Sequence, residues 1–92
     1  MIEWNLNINY NGRNYTLKAT VEYLSNQIIR IRVQGSKTAL LLENNYPFTK
    51  LSTKKGIVWK IREGMMNKAY SNTARLLADI FEELEKKMKT EL

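Results

Sequence analysis

Two runs of strict alternation around Asn11-Gly12 constrain this chain more than any other feature. Ile2, Trp4, Leu6, Ile8 and Tyr10 alternate with Glu3, Asn5, Asn7 and Asn9. Beyond the Asn-Gly pair, Tyr15, Leu17, Ala19, Val21 and Tyr23 alternate with Thr16, Lys18, Thr20 and Glu22. Period two sends each set to its own face, so each run reads as a strand with one wet side. Asn-Gly favours the positive φ angles of a type I′ turn, whose twist suits a hairpin. The apolar side of that hairpin must be buried against something.

The C-terminal stretch supplies the cover. Ala74, Leu77, Phe81, Leu84 and Met88 recur at spacings of three and four, with Leu76 and Ile80 alongside. That is one broad face of an α-helix, too wide and too short for a coiled-coil seam. Ser71 or Asn72 is suited to cap its first turn, and Lys86, Lys87 and Lys89 complement the dipole at its far end. Glu82–Lys86 and Glu85–Lys89 are expected as i,i+4 pairs.

Between hairpin and helix, Ser25-Asn26 and Gly35-Ser36 bracket a third strand, Gln27 to Gln34, with Ile29, Ile31 and Val33 inward. A fourth runs from Thr38 to Glu43, where the consecutive Leu40, Leu41 and Leu42 require one leucine to point away from the core. A fifth runs from Ile57 to Arg62, with Ile57, Trp59 and Ile61 inward and Gly64 at its end. The loop 44–56 carries Tyr46 and Phe48, and Phe48 is the stronger candidate to seal the core edge. The fold expected is a single α+β domain, 1–92. Four or five strands over about 2–62 form an antiparallel meander, and a helix over about 71–90 lies across one face. Its core should join Trp4, Leu6, Ile8, Leu17, Val21, Ile29, Ile31, Val33, Trp59 and Ile61 to Leu77, Ile80, Phe81 and Leu84.

Composition narrows the chemistry. The 92 residues include no cysteine and no histidine. Disulfides and thiolate ligands are therefore excluded, and the commonest general base and metal ligand is missing. Outside the helix the acids are Glu3, Glu22, Glu43 and Glu63, on four separate segments. No glycine-rich phosphate loop is present. The expectation is a protein that is not an enzyme, with no cofactor and no catalytic residue. The opening residues lack the basic and apolar runs of a signal peptide, and no window reaches the length of a membrane span. A cytoplasmic protein with no membrane partner is expected.

Charge is uneven. Before residue 71 there are eleven Lys and Arg against four Glu; from there on, four against five acids. Lys18, Arg30, Arg32, Lys60 and Arg62 should share the uncovered sheet face, diluted by Glu3 and Glu22. Cations two apart on a strand point the same way, about 7 Å apart, a spacing suited to neighbouring phosphates. Lys50, Lys54 and Lys55 interleave with Tyr46 and Phe48 in the loop, a second candidate for a polyanion. Tyr46 and Leu41 are candidate interface residues. The long first strand is expected at an edge, open to pairing with a second copy.

A meander followed by one helix resembles, in topology, the repeat of the PUR family of single-stranded nucleic-acid binders, although none of that family's sequence motifs is present. The resemblance implies a nucleic-acid partner. The uncovered face, however, offers no aromatic platform for bases. The first expectation is therefore a protein-interaction module or homodimer, with nucleic-acid binding as the alternative.

Overall fold

The computed structural model describes residues 2–10, 12–36, 38–51, 56–64 and 73–92. Five strands form one antiparallel sheet: β1 (Glu3–Tyr10), β2 (Arg13–Leu24), β3 (Ile29–Gln34), β4 (Ala39–Asn44) and β5 (Trp59–Glu63). They neighbour one another in chain order, so β1 and β5 are the two edges. A short helix, α1 (Tyr46–Thr49), interrupts the connection to β5, and α2 (Thr73–Glu91) follows the sheet. This is the α+β meander expected, with five strands and one C-terminal helix across one face.

The hairpin forms as its alternation dictates. Tyr10 pairs with Arg13 across the two-residue turn, and the register holds without a slip back to Glu3 and Thr20. Gly12 takes the left-handed φ of +74° that the turn requires. Trp4, Leu6, Ile8 and Tyr10 are all buried, and Glu3, Asn5, Asn7 and Asn9 are all exposed. Ile29, Ile31 and Val33 are fully buried in the centre of the sheet.

The stripe of α2 that meets the sheet is Leu76, Ile80, Leu84 and Met88, all buried. This single i,i+4 ridge lies to one side of the expected stripe: Leu77 and Phe81 are only half-buried and Ala74 is exposed. Phe81 instead stacks on Trp59 of β5, with ring centroids 4.4 Å apart and planes 11° from parallel. The Trp59 indole N–H donates to Glu85 at 3.0 Å. Glu85 is therefore engaged by a strand as well as lying one turn before Lys89. Glu82–Lys86 forms at 3.6 Å as expected, and Glu83 also reaches Lys86 at 3.2 Å. The N-cap expected at Ser71 or Asn72 lies outside the described residues.

Three expectations about single residues are corrected. Ile61 stands at the edge of the core instead of in it and is 51% exposed, because Phe81 carries α2 as far as Trp59 and no further along β5. Tyr23, expected with the inward set of β2, is 48% exposed and puts an aromatic ring on the outer face beside Arg30, because the register shift between Val21 and Tyr23 turns the end of β2 over, while Val21 stays half-buried against the core. In α1 the aromatic roles are reversed: Tyr46 is buried and Phe48 is 42% exposed. Residues two apart on a helix point about 200° apart, so only one of them can face inward. Asn44 selects Tyr46, because its buried Oδ1 accepts the Tyr46 N–H at 2.8 Å while its Nδ2 donates to the Met88 sulfur at 3.4 Å.

Gly64 closes β5 with φ +92°, and a Cβ there would collide with the backbone carbonyl of Ala39. Gly12 has the same handedness but open space around it. Gly12→Ala should therefore cost only the left-handed penalty, about 1–2 kcal/mol. Gly64→Ala adds a backbone clash and should cost more, lowering the urea midpoint further. Equilibrium unfolding of the two variants side by side checks this ranking.

Candidate functional site

Antiparallel pairing stacks outward side chains in rows across the sheet. One row runs Tyr23, Arg30, Glu43, Lys60; the next runs Glu3, Thr20, Arg32, Leu41, Glu63; a third runs Asn5, Lys18, Gln34, Ala39. The rows bring Lys18, Arg30, Arg32 and Lys60 to the face that α2 leaves uncovered. Arg62 is the residue left over at the register shift between Leu41 and Leu42.

The same face gathers all four glutamates of the sheet: Glu3, Glu43 and Glu63 in these rows, and Glu22 at the register shift between Val21 and Tyr23. Each lies on a different strand, which is why sequence spacing gave no sign of their meeting. Lys18 meets Glu3 at 3.4 Å. Arg30 donates to Glu43 at 2.9 Å and sits 5.2 Å from the centre of the Tyr23 ring. Arg32 donates through Nε to Glu22 at 2.6 Å and through Nη2 to the same carboxylate at 3.2 Å. Its Nη2 also reaches Glu63 at 3.5 Å. Lys60 and Arg62 form no ion pair among the described residues, but both lower the Glu43 pKa through space.

Every resolved pKa shift on this face favours the charged form. The hydrogen bond from Arg32 holds Glu22 below its ordinary carboxylate value, against a smaller opposing effect of burial, and raises Arg32 in return. Glu43 is lowered first by the hydrogen bond from Arg30, against partial burial, and then by Arg62, Arg30 and Lys60. The face is a near-balanced lattice of cross-strand pairs.

Leu41 is the surplus leucine. It lies on the outer face, across from Arg32 and Glu63, and is only 9% exposed. The three-leucine run is thereby accommodated, with Leu40 and Leu42 buried on the α2 side. Of the loop cations, Lys50 bonds through Nζ to the main-chain oxygen of Leu92. Lys54 and Lys55 lie outside the described residues.

Apolar side chains are open to water elsewhere. Val58 and Ile61 project at β5, and Leu24 and Leu51 at the end of the sheet where β2 turns into β3. Leu24 and Leu51 line a cleft of about 300 Å³ with Tyr46, Pro47, Lys50 and Leu92. Tyr46 is thus a wall of the cleft, and Leu51, at 83% exposure, is its most open member. Nothing in the sequence pattern marked this cleft, because its walls come from β2, α1 and the last residue of the chain.

The chain matches no protein-family model, no curated protein and no solved structure at a significant level. The topological likeness to the PUR repeat accordingly stands without support from a solved neighbour. Among the described residues no helix is long and apolar enough to cross a membrane.

The pairs on the sheet face have a pH signature. A carboxylate whose pKa is lowered on folding adds stability above its ordinary value, 4.5, and loses it as pH falls through the folded value. The thermal midpoint should therefore hold above about pH 5 and decline progressively below 4.5. Glu43→Gln should start from a lower plateau and show a shallower decline, as read by calorimetry across pH.

Proposed function

We propose that this chain is a small non-enzymatic protein-interaction module that works through the margins of its sheet instead of through its charged face. The observation that carries this reading is the partition of the surface. The outer-face cations Lys18, Arg30 and Arg32 are each matched by a glutamate, whereas Val58, Ile61, Leu24 and Leu51 are left in water at the edge and end. A face whose charges already satisfy one another gains little from phosphates, because each new contact must displace an existing partner. Exposed apolar side chains gain from any partner that dries them. Ionisable groups held in their charged forms by neighbours accord with a structural role for this face, since a catalytic acid or base needs its pKa moved toward working pH. A cytoplasmic setting accords with the absence of cysteine.

Fluorescence anisotropy with labelled single- and double-stranded oligonucleotides separates this reading from the nucleic-acid one. The expected result is association no tighter than non-specific contact, about 10⁻⁴ to 10⁻⁶ M at physiological salt. Nanomolar binding that falls steeply with salt and is abolished by Arg30→Glu with Arg32→Glu would overturn the reading.

A further inference from the structure

We propose that two copies of this chain join along β1, antiparallel, to make one continuous ten-stranded sheet. The proposal goes beyond the interaction-module reading: it uses the sheet edge opposite Val58 and Ile61, and its partner is a second copy.

The hydrogen-bond phase of the hairpin shows which groups are available. The Val21 N–H donates to the Ile2 carbonyl at 2.9 Å. In an antiparallel ladder, hydrogen-bonded and non-bonded pairs alternate. Given the β1–β2 register, the even residues Trp4, Leu6, Ile8 and Tyr10 direct their backbone groups to β2. Glu3, Asn5, Asn7 and Asn9 direct theirs away, to an edge that no other described strand pairs. The row runs about 20 Å from Glu3 to Asn9, at roughly 3.4 Å per residue.

Devices that normally guard such an edge are a lysine, a proline, a bulge or a short strand. β1 has eight residues and an unbroken register, and its outward side chains after Glu3 are three neutral asparagines. Glu3 is already held by Lys18. β5 is the opposite case, with five residues, a register shift, and exposed Lys60 and Arg62. Two copies of β5 paired about Ile61 would set Lys60 of one against Arg62 of the other. Charge therefore forbids self-pairing at β5 and permits it at β1.

A two-fold axis at Asn7 uses the edge fully. Asn7 then meets Asn7, and Asn5 meets Asn9, each as a hydrogen-bonded pair, giving six main-chain bonds across the junction. On the inner side Leu6 lies across from Ile8, and Trp4 across from Tyr10. The Trp4 indole N–H is a buried side-chain donor with no acceptor among the described residues. A buried donor without a partner is costly, and the second copy brings a further strand alongside it.

Sedimentation equilibrium over micromolar to millimolar protein tests the proposal. The expected species has twice the 10.8 kDa chain mass. Asn7→Pro removes an outward N–H and leaves the β2 ladder intact, so it should weaken dimerisation at least tenfold. Ile61→Asp at β5 should leave it unchanged. Should Asn7→Pro fail to fold, hydrogen exchange on the wild-type chain decides: the amides of Asn5, Asn7 and Asn9 should be slowed in concentrated protein and released on dilution. A monomer at millimolar concentration overturns the dimer, as does a dimer that Ile61→Asp dissolves or one in which these three amides exchange freely. Any of these leaves the interaction-module reading standing, because that reading falls only on the oligonucleotide experiment.

Discussion

Everything in this fold depends on one ridge of α2 finding one side of the sheet. Leu76, Ile80, Leu84 and Met88 repeat every fourth residue, and the inward residues of β1 to β4 repeat every second. Neither surface is stable in water alone, and the described residues offer no other apolar layer. The ridge also decides what else is buried. Asn44 is drawn inside because its amide is needed at Met88 and at the start of α1. Tyr46 follows it inward. On the far flank Phe81 and Glu85 hold Trp59, which fixes β5 against the helix at one residue and leaves Ile61 outside.

The side of the sheet that α2 does not touch is organised by charge. Exposed ion pairs contribute little each, so this lattice is a weak source of stability. Its consequence is for specificity of register. Glu22, Arg32 and Glu63 come from β2, β3 and β5, and Arg30 with Glu43 ties β3 to β4. A slip of one residue in β3 would turn Arg30 and Arg32 toward α2 and bring Ile31 into water. The inner and outer faces therefore specify the same pairing.

How much of this was legible depended on range. The β1–β2 hairpin, the inward set of β3 and the surplus leucine of β4 were legible because each follows from neighbours in sequence: alternation, Asn-Gly, three leucines in a row. The four glutamates were individually visible but their convergence was not, since it depends on the register of all five strands. The reversal of Tyr46 and Phe48 was hidden for a similar reason, as it turns on an Asn44 side chain held from α2. The exact ridge of α2 was displaced from the expected stripe because periodicity gives a face to within a residue, and packing chooses the rest. The cleft beside Leu24 and Leu51 has walls 41 positions apart between Leu51 and Leu92, beyond the reach of any local pattern.

The register shift in β5 has a consequence for growth. Open sheets that can add strands at both ends propagate, and chains with two receptive edges make filaments. Here the far end is shortened, kinked and positively charged, so any addition at the near end exhausts the supply of matching edges. An isologous junction of that kind is self-limiting: it closes at a pair, with the two blunted strands turned outward as its terminators. For the proposed dimer, the small irregularity opposite Leu41 and Leu42 would separate a finite assembly from an open-ended one.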